Sequence, residues 1–453
     1  MSSHPIIIVT GANSGVGYGI CQRLLVQLSQ SVPPDALPQF RPLGYTIGQP
    51  EVQRYDGLTL IMACRSKHRA LAARKTLLEF FDNYIEQEKQ RPDYDGHVEL
   101  FKKNLEINFH ALDMASMHSV FQFGDEISQR YQYISHMICN GGGGTYNGMK
   151  WGVLIKQILA HPILALTVTE FKNQISGVTT DDGLGYVFQS NVFSHYALSR
   201  YLQPLFSSYS KLSSQPARIL WTSSLESSPE DFSLEDWQLL KTYHSYETSK
   251  YEIDLVAHRL ALQSQKDESS AVRHYIIHPG ISHSNAAHDL VPTEIFNWFK
   301  VLLFYVARFF GSPNHTIEPF KAAISAVHLC LVATAFLPTT LHSFYRVDYS
   351  PTSNVFDDMV SASDIWPNGK ENARATALAE ERKEAPPIRF GSVTNRQGRE
   401  SVNVVPIHEW EKHAADSEKL VDKMENLYRA YLKLEGESKV LKPVESDGSA
   451  NGH

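Results

Sequence analysis

Cysteine is scarce in this chain: Cys21, Cys64, Cys139 and Cys330 are the only four among 453 residues, and each sits inside an apolar stretch. Wide spacing of that kind supports neither a disulfide framework nor a zinc site, and it fits small buried residues in a reducing compartment. Positive charge is not in excess either. The formal net charge is -7 and no base-reading motif is present, so no nucleic-acid partner is expected. The 20 histidines, His278, His283 and His315 among them, show no metal-ligand spacing, and no metal is expected. No basic stretch followed by an apolar one opens the sequence, so no secretory signal is expected, and the Asn314-His-Thr316 acceptor pattern is expected to stay bare. Uninterrupted apolar runs of about 18 residues are missing, which argues against a spanning helix. There is no internal repeat.

What remains is an ordinary globular composition, 42% hydrophobic and 20% charged, long enough for one large domain with additions. Pro5–Thr10, Leu58–Cys64, Glu106–Leu112, His136–Cys139, Ala217–Thr222 and Arg273–His278 are short apolar runs of buried-strand type. Helical patterns separate most of them: residues 15 to 28, 67 to 88, 192 to 205 and 246 to 263. Strands alternating with helices predict an α/β fold, a doubly wound Rossmann-type parallel sheet with helices on both faces plus a C-terminal extension. Its ligand is then expected outside the carboxyl ends of the strands.

Thr10-Gly-Ala-Asn-Ser-Gly-Val-Gly17 lies where the first strand turns into the first helix. Gly11 permits a tight turn, Gly15 lets backbone amides approach a pyrophosphate, and Gly17 allows close helix packing, with Asn13, Ser14 and Val16 between them. The second strand ends in Arg65 where NAD sites usually carry an acid. A guanidinium there suits a 2′-phosphate and points to NADP(H), although an arginine opening a helix reads the same. Asp113 can accept from an adenine amino group or cap the following helix. Asn140-Gly141 begins a glycine run to Gly144, either a wall against a flat cofactor or a flexible loop.

Tyr246 and Lys250 share one helical face at i and i+4. A nearby ammonium is expected to stabilise the phenolate and lower the tyrosine pKa, and the same lysine can hold ribose hydroxyls. Trp221-Thr-Ser223-Ser224 ends a buried strand and can present a hydroxyl to that point, from either serine. Tyr-x-x-x-Lys alone is a weak motif. Its position after a glycine turn, a glycine-rich fourth strand and a strand ending in Ser-Ser is far more specific.

Over about residues 5 to 290 this order resembles the short-chain dehydrogenase/reductase family. The resemblance implies a catalytic set of Ser224, Tyr246 and Lys250, completed for proton relay by Asn191, with Ser223 as the alternative serine. It also implies that Pro279, Gly280, Ser282 and Ser284 form the loop contacting the nicotinamide. Insertions at about 31–56, 146–185 and 226–241 lengthen the pattern. With the aromatic segment near residue 300, two of them, 146–185 and 226–241, resemble the fungal 3-keto-steroid reductase branch of that family.

That resemblance implies NADPH-dependent reduction of the C3 ketone of 4-methyl sterols to the 3β-hydroxyl, during C-4 demethylation in ergosterol synthesis; the alternatives are reduction of another lipophilic ketone (17-ketosteroid, retinoid or acyl ketone) or a non-catalytic scaffold of the demethylation complex. It further implies a peripheral place on the cytosolic face of the endoplasmic reticulum or on lipid droplets, in contact with other C-4 demethylation enzymes. The expected division is a catalytic domain over 1–290, an apolar helical region for substrate or membrane contact over 291–349, an irregular extension with a helix over 350–435, and a disordered tail over 436–453. Trp151–Leu166 and Ile295–Phe310 are the candidate entrance segments. Phe296, Trp298, Phe299, Leu302, Leu303, Tyr305, Phe309 and Phe310, with Lys300 and Arg308 between them, suit either an interfacial helix or a buried one.

Overall fold

The computed structural model describes residues 4–42, 52–160, 171–213, 215–266, 270–283, 294–341, 343–346 and 387–441. Twelve strands follow in chain order: β1 (Ile6–Thr10), β2 (Phe40–Pro42), β3 (Leu58–Cys64), β4 (Leu105–Ala111), β5 (His136–Cys139), β6 (Tyr146–Met149), β7 (Lys172–Gln174), β8 (Ala217–Thr222), β9 (Val272–His278), β10 (Phe344–Arg346), β11 (Ile388–Thr394) and β12 (Glu400–Pro406). Eight of them form one sheet in the order β12-β11-β9-β8-β5-β1-β3-β4. Every neighbouring pair is parallel except β11 with β12. Successive crossovers run outward from β1 in one direction to β4, then restart at β5 in the other. The gap between β1 and β5 is therefore the switch point, where an open sheet leaves a crevice at its carboxyl edge.

The expected strands are parallel, and β1, β3, β5 and β8 are buried along their whole length because helices cover each side, whereas the edge strand β4 is partly exposed. Met117–Arg130, Ser194–Tyr201, Ser245–Lys266 and Trp410–Leu441 pack one core. Gly15–Leu28, Lys67–Glu88 and Ile324–Leu331 pack the other. Ile20, Leu24, Leu25 and Leu28, the apolar face of the first helix, are fully buried. All four cysteines are free and buried in these layers.

Three segments depart from the sequence reading. Residues 388–406, expected to be irregular, form the hairpin β11–β12 and extend the sheet through β11 against β9. Arg23 ties that hairpin to the first helix. Its guanidinium donates to Asp35 at 2.5 and 2.8 Å, a pair with little solvent contact, and to the half-buried Glu400 at 2.9 Å. Removing one partner of such a buried pair costs about 3–5 kcal/mol. The helix expected over residues 192–205 is instead a π-turn, Gln189–Phe193, followed by Ser194–Tyr201 and Gln203–Ser213. The final helix runs Trp410–Leu441, beyond the expected end.

Candidate active site

Gly11 and Gly15 adopt left-handed backbone, φ +66° and +53°, so the chain reverses between β1 and the first helix as only glycine does freely. A Cβ on Gly17 would lie 2.4 Å from the Gly11 carbonyl oxygen, and that contact explains the third glycine. Ser14, the N-cap, makes no side-chain cap bond, so the helix amides remain available to a phosphate. Thr10 organises the turn. Its hydroxyl accepts from the Asn140 and Gly141 amides at 2.9 and 2.7 Å and lies 2.9 Å from His195 Nε2. His195 Nδ1 faces the Asn191 carbonyl at 3.0 Å, so Nδ1 carries the proton and Thr10 donates to Nε2. Burial holds the ring neutral, with its pKa lowered to about 4. These features fit a dinucleotide pyrophosphate over the switch point.

Register carries Arg65 and Asp113 to the same edge: Gly11 N–H bonds the Ala63 carbonyl and Leu112 N–H the Cys64 carbonyl. Arg65 is exposed there. Asp113 accepts from the Ala115 amide at 3.0 Å, but the N-cap of the following helix is Ser116. The capping alternative for Asp113 is thereby corrected.

The second half of the site is the N-terminal turn of Ser245–Lys266. Gln174, from the β6–β7 hairpin, accepts from the Ser245 hydroxyl and from the Tyr246 amide at 2.9 Å, and so caps this helix. Tyr246 is half-buried, has the Ser224 hydroxyl as the neighbour that favours its ionised form, and lies with its ring centroid 6.0 Å from that of Tyr146. Ser223 points elsewhere: its hydroxyl donates to the Lys250 carbonyl at 3.3 Å, on the side of Asp254. Geometry thus selects Ser224 as the serine paired with the phenol.

Lys250 Nζ donates to the Thr222 carbonyl at 2.9 Å and lies 5.6 Å from the Tyr246 ring centroid. Burial lowers its pKa to about 8 against the pull of Asp254. The expectation that this ammonium acidifies the phenol is not met. Burial first and the Glu226 charge second push the Tyr246 pKa up, opposed by the Ser224 bond. The reason is placement: the ammonium is spent on a backbone carbonyl, while Glu226 is held nearby by Lys172 at 3.0 Å.

Asn191 sits inside the π-turn, which widens the helix by one residue and turns its amide towards the glycine run. Its Oδ1 accepts from Gly143 N–H at 2.8 Å, and its Nδ2 donates to the Gly143 carbonyl and to Ser249 Oγ, both at 2.9 Å. The run itself is explained by crowding: a Cβ on Gly142 would meet the Asn191 amide at 2.3 Å, and one on Gly144 the Tyr146 ring at 2.6 Å. Pro279 and Gly280 follow β9, with Gly280 at φ +69° and Ser282 bridged to Ile317. Ser284 lies outside the described residues.

Sequence reading missed Tyr146, Lys172, Gln174 and His195. The first three come from an insertion, where no local spacing signals a role. His195 could have been found, since it stands one helical turn after Asn191. No group of His, Cys, Asp or Glu among the described residues could hold a metal ion.

No family model matches the chain. Among curated proteins it is 31% identical to the 3-keto-steroid reductase of Kluyveromyces lactis over 334 residues, covering 74% of this chain and 82% of that protein. The chain belongs to the 3-keto-steroid reductase family. This reductase is also 30% identical to the 3-keto-steroid reductase of Saccharomyces cerevisiae over 332 residues, 72% of this chain and 81% of that one. Among solved structures, the Pseudomonas aeruginosa RhlG/NADP complex covers 74% of this reductase and 93% of that chain, at 14% identity and TM-score 0.43. The reductase is an oxidoreductase that acts on a ketone, as family membership requires.

Proposed function

We propose that this reductase uses NADPH to convert the C3 ketone of 4-methyl sterols to the 3β-hydroxyl, within C-4 demethylation in ergosterol synthesis. The observation that carries this reading is the Tyr246–Ser224 hydroxyl pair beside Lys250, at the switch point of a glycine-turn sheet. The turn around Gly11–Gly17, with Asn13, Ser14 and Val16, would hold the pyrophosphate, Arg65 the 2′-phosphate and Asp113 the adenine. Asn140, Gly141, Pro279, Gly280 and Ser282 would border the nicotinamide, whose ribose hydroxyls Lys250 is placed to hold. When bound, the reduced nucleotide supplies the hydride.

Ser224 and Tyr246 are assigned to the substrate carbonyl oxygen, where their hydroxyls favour developing negative charge. Burial keeps Tyr246 protonated at neutral pH, the form that donates. Lys250 is charged below about pH 8, and its ammonium lies 5.6 Å from the Tyr246 ring centroid. Asn191 locks the glycine strand to the helix of Tyr246 through Ser249, consistent with a role in holding the proton path.

A sterol substrate needs an apolar approach. The helix Glu294–Phe309 turns Trp298, Leu302, Tyr305, Val306 and Phe309 outward at i, i+4, i+7, i+8 and i+11, with Trp298 78% and Phe309 69% exposed. Arg308 is buried against Tyr305, its guanidinium 4.8 Å from the ring centroid. Burial first and the Lys172 charge second lower the pKa of Lys300 on this helix. The side chains of Phe296 and Phe299 lie outside the described residues. No described helix is long and apolar enough to cross a membrane. A peripheral position on the endoplasmic reticulum or lipid droplets, beside other demethylation enzymes, follows from this reading.

With a 4-methyl 3-ketosterol and NADPH, Tyr246→Phe should lose at least about a hundredfold in kcat while still binding NADPH. Full turnover in that variant, or no turnover of the sterol by the unaltered chain, overturns the reading.

A further inference from the structure

The hairpin β11–β12 lies outside the six-stranded nucleotide pattern, yet it sends a charged side chain beneath the candidate site. Arg389 Nη1 donates to the Ser224 carbonyl at 2.9 Å and to Asp254 Oδ2 at 3.3 Å. Asp254 Oδ2 also accepts from Ser227 Oγ at 2.6 Å. The side chains of Arg389 and Asp254 are 4% and 1% exposed. Asp254 stands one helical turn after Lys250. Pairing of Phe390 with Ile277 fixes the strand that carries Arg389, so the guanidinium has little freedom.

Given the roles assigned above to Ser224, Tyr246 and Lys250, we propose that Arg389 is a positioning residue for ketone reduction. It holds the Ser224 backbone, and hence the serine hydroxyl, and it keeps Asp254 as the counter-charge of Lys250. The C-terminal hairpin is then part of the active-site support.

Electrostatics agree with the geometry. Burial raises the Asp254 pKa, and Arg389, Ser227, Ser223 and Lys250 pull it back. Burial lowers the Lys250 pKa, and Asp254 opposes that. The other titratable neighbours are Tyr251 on the same helix, His278 on β9 beside Arg389, and His195 near Lys250. Both histidines are held neutral by burial, with pKa values lowered to about 3 and about 4, so neither replaces Asp254 as counter-charge.

The test uses the full chain with NADPH and cholestanone as the ketone, comparing Arg389→Met, Arg389→Lys, Asp254→Asn, Ser224→Ala and Tyr246→Phe. Arg389→Met should lower kcat about ten- to a hundredfold with the KM for NADPH little changed. Arg389→Lys should restore part of that loss. Asp254→Asn keeps the shape and removes the charge, so the alkaline limb of the kcat profile should move down by about one pH unit. That shift decides the matter even where Arg389→Met fails to fold, because a merely structural role leaves the limb in place.

If Tyr246→Phe and Ser224→Ala are inactive while folded Arg389→Met and Asp254→Asn keep the unaltered kcat and pH profile, the role of Arg389 is overturned and the site assignment stands. If Tyr246→Phe stays active, the site assignment itself is overturned.

Discussion

Tyr246 shows how burial and charge divide the work at one residue. Its phenol is kept protonated by desolvation and by Glu226, while Ser224 supplies the one bond that favours ionisation. An acid of that kind suits reduction, in which the proton leaves towards a developing alkoxide. Gly17 makes a second point at the same scale. Its value lies in space, since an added Cβ would sit 2.4 Å from the Gly11 carbonyl oxygen and 2.6 Å from Asn140 Nδ2. Backbone at that distance cannot step aside without unwinding the turn. Gly17→Ala should therefore weaken NADPH binding at least about tenfold, measured by fluorescence titration. An unchanged Kd would show that the turn does not hold the nucleotide.

At the scale of elements, the insertions are structural parts of the site. The hairpin β6–β7 brings Gln174 to cap the helix of Tyr246 and Lys172 to hold Glu226. The helix Glu294–Phe309 presents an aromatic stripe to solvent. Such a face buries well in a headgroup layer, where Trp and Phe leave water. Trp298→Glu with Phe309→Glu should reduce cosedimentation with phosphatidylcholine–ergosterol vesicles at least about tenfold, leaving turnover of a detergent-dispersed ketone intact. Equal sedimentation of both proteins would remove the membrane role from this helix. The apolar and aromatic spacing of the stripe could be read in the sequence. Which residues faced outward could not, because a buried helix has the same composition.

The whole molecule carries many neutral buried histidines. His136, His274 and His278 are lowered to about 3, and His195 and His328 to about 4, all chiefly by burial, from an ordinary value of 6.5. Below pH 6.5 the unfolded chain takes up protons that the fold refuses, so stability present above that pH is lost as it falls towards 4. Each such ring contributes up to about 1.4 kcal/mol per pH unit in that window. The thermal midpoint should drop by at least about 5 °C from pH 7 to 5.5, followed by calorimetry. A flat profile would mean that the rings are not held neutral. By itself the sequence determined the alternation of strands and helices, the glycine turn, and the Tyr246–Lys250 spacing, because each is a local pattern set by backbone sterics and helical periodicity. Tertiary structure alone decided that Ser224 rather than Ser223 meets the phenol, that Lys250 spends its ammonium on Thr222, and that β11 delivers Arg389 beneath them. Those outcomes depend on desolvation and on contacts between segments more than a hundred residues apart in the case of Arg389 and Ser224, and no local spacing encodes them.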